Sequence, residues 1–186
     1  MSIAEVFRRI TVALEQAGIP YMLTGSFASA YYGLPRASQD IDLIIEADPA
    51  QLRRLIALLP GNEYYADLEM ALEAQKEQSL FNIIDLSAGW KIDLIFRKPR
   101  PFSKEEFGRR RPILLAGSTV YAASAEDVVI AKLEWAKLAQ SQRHIEDVAG
   151  ILRMRWPFLD HSYLDRWIAE LALSAEWEQA RRTAGK

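Results

Sequence analysis

Asp40 and Asp42 flank Ile41, and Asp40 stands fourteen residues after Ser26 of a Gly25-Ser26 pair. The Gly-Ser pair follows a short apolar run, Tyr21-Met22-Leu23, and Asp40-Ile41-Asp42 opens a second, Leu43-Ile44-Ile45. On a strand, the side-chain period of two puts both carboxylates on one face and Ile41, Leu43 and Ile45 on the other. Two carboxylates that close repel unless a cation sits between them. Mg²⁺ suits the position, as a hard ion held by one or two carboxylates plus substrate phosphates. A Gly-Ser turn ahead of a helix supplies backbone N–H groups for those phosphates. The plain alternative is a solvated strand start and an ordinary turn whose Ser caps a helix. The distance between the two pairs and the apolar opposite face favour the metal–phosphate reading.

A third acid, Asp93, sits in Lys91-Ile92-Asp93-Leu94-Ile95-Phe96. The strand period gives one face to Ile92, Leu94 and Phe96 and the other to Lys91, Asp93 and Ile95. A buried Asp needs a cation, either a metal or a basic side chain across the sheet. Asp85, in Ile84-Asp85-Leu86, is its rival. If Ser87 to Gly89 forms a three-residue turn, Asp85 falls opposite Lys91 and pairs with it, leaving Asp93 as the catalytic candidate. Lys132 shares a helical face with Ala125, Val128, Trp135, Ala136 and Ala139, so it either snorkels to solvent or meets an anion. Its functional role would be to grip an outer phosphate of a nucleotide. Arg36 is a second candidate phosphate contact. Arg143 and Asp147 have the spacing of a helical surface ion pair. His144 and His161 lack metal-ligand spacing and read as structural. Trp135, Trp156, Trp167 and Trp177 read as helical core or interface residues.

These residues need a scaffold. Ser2 and Glu5 form a capping-box pattern ahead of Ile3, Val6, Phe7, Ile10, Leu14 and Ala17 at helical spacing. Gly18 and Pro20 end that helix. A strand over 21–24, a helix over 26–32, a strand over 40–45 and a helix from Asp48-Pro49 to Leu59 follow. Residues 68–78 read as a charged helix or loop, and 80–86 with 90–96 as a hairpin. Residues 97–111 read as a basic connection with Pro99 and Pro101 in it. It holds Arg97, Lys98, Arg100, Lys104, Arg109, Arg110 and Arg111 against Glu105 and Glu106. A nucleic-acid acceptor would need such a patch, and a solvated loop explains it equally well. A strand pair at 113–115 and 119–122 precedes helices over about 124–141, 143–153, 160–171 and 173–183, the first of them capped by Ser124. The expected fold class is therefore α+β: a mixed sheet covered by helices over residues 1–122, with a helical C-terminal region, 123–186, packed on that core.

Composition narrows the class. Half of the 186 residues are hydrophobic, enough for a real core. The net charge of -2 gives no global pull toward nucleic acid or membrane. The absence of cysteine excludes disulfides, thiolate zinc sites and cysteine nucleophiles. The first residues lack a charged-then-apolar signal pattern, and no apolar run approaches the roughly 20 residues of a bilayer span. The expected setting is cytoplasmic, with no membrane partner.

Gly25-Ser26, Asp40-x-Asp42 and Asp93, with the approach segment Arg36-Ala37-Ser38-Gln39, resemble the nucleotidyltransferase superfamily with the DNA polymerase β-like fold, in its small prokaryotic members. The resemblance covers about residues 20 to 96. It implies a nucleotidyltransferase core in which Asp40, Asp42 and Asp93 bind Mg²⁺ and Asp93 draws the proton from the attacking hydroxyl. Gly25, Ser26, Arg36 and Lys132 would bind the NTP. Lys132 and Arg143-His144-Ile145-Glu146-Asp147 also resemble the later motifs of toxin-type nucleotidyltransferases of type IV toxin–antitoxin systems. That second resemblance implies transfer of NMP to tRNA or a protein, and a cognate antitoxin as partner. Two other readings stay open: a non-catalytic nucleotide-binding partner in a two-protein module, and a small-molecule (antibiotic) nucleotidyltransferase.

Overall fold

The computed structural model describes residues 3–186. Ser2 of the expected capping box lies outside them. Contacts divide the chain into two units: one takes the chain up to Thr24 with Ser38–Ala122, the other Gly25–Ala37 with Ala123–Lys186. The segment after the first strand thus belongs with the C-terminal helices, whereas a boundary drawn only at residue 122 assigns it to the core.

The first unit is a seven-stranded mixed sheet with helices. Its strands are β1 (Tyr21–Leu23), β2 (Asp40–Ile45), β3 (Tyr64–Ala66), β4 (Leu80–Asp85), β5 (Trp90–Phe96), β6 (Arg111–Leu115) and β7 (Ser118–Ala122), in the order β3-β4-β5-β2-β1-β7-β6. The β2–β5 and β1–β7 pairs are parallel and the others antiparallel. Alternation decides the faces. Ile41, Leu43 and Ile45 of β2, Ile92, Leu94 and Phe96 of β5, and Phe81 and Ile83 of β4 are all buried. They form the core with α1 (Ile3–Ala17), α3 (Pro49–Leu58) and α4 (Leu68–Glu77), neighbours in that order, α1 reaching β7 and α4 reaching β4.

Local chemistry sets the element ends. Helix α1 stops at Gly18, whose φ of +73° suits a residue without Cβ. Asp48 caps α3: its side chain accepts from Gln51 N, and the Gln51 side chain accepts in return from Asp48 N, with Pro49 in the first turn. Of the charged helix or loop expected over 68–78, the structure has the helix, α4, capped by Asp67.

Three features depart from the sequence reading. The short edge strand β3 had no sequence counterpart. The stretch 97–111 is not merely a connection: it carries α5 (Pro101–Gly108), which begins with Pro101 in its first turn and buries Phe102 and Phe107. Proline there starts a helix instead of breaking one, because the N–H it lacks has no helical partner at that position. The turn between β4 and β5 holds four residues, Leu86 to Gly89, so Asp85 stands opposite Trp90, and Ile84 opposite Lys91. Asp85 does not pair with Lys91. Its Oδ1 accepts from Ser87 N at 2.9 Å, Ser87 Oγ at 2.6 Å and Ala88 N at 3.0 Å, closing its own turn on the buried face.

The second unit is helical: α2 (Gly25–Tyr32), α6 (Ala125–Ala139), α7 (Gln142–Arg155), a 3-10 turn (Trp156–Phe158), α8 (His161–Glu170) and α9 (Ser174–Ala184). Ser124 caps α6 through Asp127 N, and the buried Asp127 carboxylate also takes Ser124 Oγ and Tyr163 OH. Trp167 and Trp177 are buried as expected, but Trp135 is exposed. Helix α2 packs on α6 and α7. Just past its end, Gly33 meets α7 so closely that a Cβ would lie 2.8 Å from Ile151 N and 3.0 Å from Gly150 C. Those are backbone atoms and cannot turn aside. Gly33→Ala is therefore expected to lower stability by about 1–3 kcal/mol through overpacking, read as a lower denaturation midpoint with an unchanged m-value.

Candidate functional site

In the sheet unit, the central parallel pair β2–β5 sets Asp40 opposite Lys91 and Asp42 opposite Asp93. Directly opposed residues point to the same side of a sheet. Asp40, Asp42, Asp93 and Lys91 therefore share the face that Ile41, Leu43, Ile92 and Leu94 leave free. Asp40 is exposed, Asp42 half-buried and Asp93 only 9% exposed. On the other side of β5, Asn82 of β4 stands opposite Asp93. Asp85 lies on the buried face, whereas Asp93 shares the face of Asp40 and Asp42.

Asp93 is not a bare carboxylate. Asn82 Nδ2 donates to its Oδ1, and Lys91 Nζ donates to its Oδ2 at 2.9 Å. The ammonium of Lys91 is held more basic than usual, chiefly by the hydrogen bond to Asp93 and secondarily by the charges of Asp93, Asp40 and Asp42, against some loss from burial. Lys91 thus feels all three carboxylates. The pairing of Asp93 with a basic side chain, one of the two outcomes its burial allowed, is present here, from two residues away on its own strand. Asn82 and the Lys91–Asp93 pair are the functional neighbours that sequence reasoning missed. The period of two already put Lys91 beside Asp93, and only the misjudged turn length assigned it to Asp85.

The donor set fits Mg²⁺ in kind, since carboxylate oxygens are hard ligands and the ion takes one or two of them plus phosphates. Among the described residues no three Asp, Glu or His side chains gather into a group that could enclose an ion by themselves. The Asp40/Asp42 pair is the part of the face that fits such an ion, and the Lys91 ammonium is the cation that Asp93 meets.

Gly25 and Ser26 open α2 in the helical unit. Gly25 has φ +64°, a conformation that any Cβ would strain, which accounts for glycine at the turn from β1 into this helix. Ser26 is buried.

Lys132, on α6, does not snorkel. It is 5% exposed, and its Nζ lies 2.8 Å from Asp147 Oδ2 on α7. Arg36 Nε lies 3.1 Å from the other oxygen, Asp147 Oδ1. Asp147 is therefore clamped by Lys132 and Arg36, not by the Arg143 that its helical spacing suggested. The i,i+4 pair gives way because a carboxylate out of solvent gains more from two partly buried cations than from one solvated guanidinium. A small cavity of about 150 Å³ beside the clamp is lined by Ser29, Leu34, Pro35, Arg36, Glu146, Asp147 and Gly150. His144, one turn before Asp147, is pushed toward the neutral form, first by burial and then by the positive charges of Lys132, Arg36 and Arg143, with Asp147 opposing.

The basic stretch is largely engaged with its own surroundings. Arg97 Nε pairs with Glu46 Oε1, Arg100 Nε donates to Ser103 Oγ at 3.0 Å, and the Arg110 guanidinium lies over the Phe107 ring at 4.2 Å. A cavity of about 510 Å³ also lies away from the carboxylates. It sits at the far ends of β2 and β5, lined by Ile45, Glu46, Asp48, Gln51, Phe96 and Arg97 among others. Its position disagrees with the chemistry, and the acids of the sheet face carry the functional argument. No described helix is long and apolar enough to cross a membrane.

No protein-family model matches the chain, and no curated protein matches its sequence. Solved structures do. A crystallised antigenic nucleotidyltransferase-like protein from Paracoccidioides brasiliensis superposes with a TM-score of 0.55 at 16% identity, over 95% of this chain and 91% of the other. ANT(2'')-Ia, crystallised in complex with adenylyl-2''-tobramycin, superposes with a TM-score of 0.51 at 13% identity, over 98% and 97%. The α+β nucleotidyltransferase-like fold expected from Gly25-Ser26, Asp40-x-Asp42 and Asp93 is the fold of this chain.

Two measurements probe the Asp147 clamp. Asp147→Asn leaves Lys132 and Arg36 without their counter-charge and is expected to destabilise by about 3 kcal/mol, read by urea denaturation. The second concerns pH. An unfolded His titrates near 6.5, whereas His144 in the folded chain titrates lower, so between those values the unfolded state binds more protons. Stability is therefore held above about pH 6.5 and falls as pH drops through that window. His144→Gln should flatten this part of the profile. An identical slope in wild type and variant would deny His144 the role.

Proposed function

We propose that the chain is a metal-dependent nucleotidyltransferase that moves NMP from an NTP to an acceptor hydroxyl. The acceptor oxygen bonds to the α-phosphorus, the bond from that phosphorus to the bridging oxygen breaks, and pyrophosphate leaves. The observation that carries the reading is the register that sets Asp42 beside Asp93, with Asp40 on the same face, in a nucleotidyltransferase-like fold. Three acids gathered on one face of the sheet have no structural purpose that a single polar residue would not serve, which favours an enzyme over a non-catalytic nucleotide-binding partner.

A bound Mg²⁺ would neutralise triphosphate charge, with Asp40 and Asp42 as its ligands and Asp93 as the third carboxylate. Asp93 takes the acceptor proton or orients its hydroxyl. Backbone N–H groups at Gly25 and Ser26 meet phosphate oxygens. Arg36 and Lys132 bring two positive charges to one carboxylate, Asp147, leaving one positive charge over for a phosphate. Positioning and charge supply most of the rate gain in such chemistry.

A toxin-type enzyme, with tRNA or a protein as acceptor and a cognate antitoxin, is one form of this reading. A small-molecule form has a specific observation on its side. Arg97, Arg100 and Arg110 are tied to Glu46, Ser103 and Phe107, which weakens the case for 97–111 as an RNA guide. The neighbour crystallised with adenylyl-2''-tobramycin points the same way.

The test incubates wild type and Asp42→Asn with each labelled NTP, Mg²⁺ and, in parallel, total RNA, cell extract or an aminoglycoside. Wild type should label one class of acceptor. The Asn variant keeps the shape and loses the charge, so transfer should fall at least about a hundredfold with little change in melting temperature. Wild-type turnover by the folded variant would sink the mechanism.

A further inference from the structure

The carboxylate face carries its own cation, and that cation is in the way. Both oxygens of Asp93 are taken: Oδ1 by Asn82 Nδ2, Oδ2 by Lys91 Nζ at 2.9 Å. The parallel register puts Asp40 directly across from Lys91 and Asp42 across from Asp93. One ammonium thus stands amid three negative charges, and the described acids form no ready-made cage of three. Asn82 and Lys91 differ in how easily they give way. Asn82 sits on the neighbouring strand, opposite Asp93, on a short stem. Lys91 has four methylenes and a side chain 46% exposed, so it can leave Asp93 for solvent without any movement of backbone.

We propose that Lys91 is a positioning residue for this site: its ammonium is a resident counter-ion that partly offsets the charge of the carboxylate face before a divalent cation arrives, and it must swing off Asp93 for the site to load. The inference rests on the metal-dependent reading above and extends it. Lys91 holds the acids together against their repulsion in the empty state. It also keeps Asp93 bonded, hence a poor base and a poor ligand, until a stronger cation competes for the face. Loading is then an exchange of one cation for another, so the face binds a divalent ion more weakly than its three carboxylates alone would. Asn82 stays on Asp93 throughout and keeps the carboxylate in place.

The proposal is tested on the whole chain, without nucleotide, by isothermal titration with Mg²⁺ and with Mn²⁺, and by thermal melting with and without each ion. Wild type is compared with Lys91→Met, Lys91→Arg and Asp42→Asn. Removing a unit charge a few ångströms from a divalent ion should tighten binding by on the order of tenfold in Lys91→Met. The same variant should melt lower than wild type without metal and gain more from saturating metal. Lys91→Arg keeps the charge and should stay within about twofold of wild type. Asp42→Asn should bind metal less tightly than any of them. Equal affinity in wild type and Lys91→Met overturns the exchange while leaving the metal site standing. Tight binding by both Lys91→Met and Lys91→Arg overturns it as well, since charge is then not the cause. If neither wild type nor Lys91→Met binds a divalent ion, the metal-dependent reading falls, and this inference with it.

Discussion

Like charge held on one face of a sheet is the constraint from which the rest of the site follows. Asp40, Asp42 and Asp93 sit on neighbouring parallel strands whose axes run about 4.8 Å apart. Three carboxylates at that spacing repel one another unless opposing charge or hydrogen-bond donors offset them. The chain answers with one ammonium, from Lys91, and one amide donor, from Asn82. Such a solution is weak by design of its parts: a half-exposed lysine is a replaceable counter-ion, whereas a buried arginine fork would not be. On the metal-dependent reading proposed above, such a face is served by a compensation that can be undone.

What keeps the acids on that face is the burial behind them. Ile41, Leu43 and Ile45 alternate with Asp40, Asp42 and Ile44, and Ile92, Leu94 and Phe96 alternate with Lys91, Asp93 and Ile95. A slip of one residue in either strand would send carboxylates into the core and isoleucines to solvent, at a cost of several kcal/mol for each buried charge. The hydrophobic face therefore fixes register more firmly than the functional face disturbs it. The turn after β4 contributes to the same end. Asp85 spends one carboxylate oxygen on Ser87 and Ala88 in closing that turn, which ties the β4–β5 hairpin at the four-residue length that sets Asn82 opposite Asp93.

Legibility in the sequence followed the range of the interactions involved. The alternation around Asp40, Asp42 and Asp93, the Asp48-Pro49 helix start and the Ser124 cap are read from residues within one or two turns of each other, and each was recovered. The fold class followed from their order. Features set by distant partners were not legible. Arg36 and Asp147 are 111 residues apart, and Lys132 and Asp147 fifteen, so the helical spacing of Arg143 and Asp147 offered a nearer but wrong partner. Helix α5 was hidden because prolines that open a helix look, in sequence, like prolines that prevent one. The edge strand β3, three residues long, owes its state to pairing with Ile83, Ile84 and Asp85 rather than to its own pattern. The Lys91–Asp93 pair fell between these classes. Its period was legible, but its assignment depended on the length of a turn.

The two ionic clusters compensate charge in different ways. In the sheet unit three acids meet one flexible lysine, so negative charge is in excess. In the helical unit one acid, Asp147, meets Lys132 and Arg36, beside a His144 pushed toward the neutral form first by burial and then by the charge of Lys132. The difference lies in which partner can move. Lys132 is buried and cannot leave Asp147 for solvent, whereas the half-exposed Lys91 can leave Asp93. The helical cluster therefore acts as a fixed tie between its own helices, and the sheet cluster is the one whose cation can be exchanged.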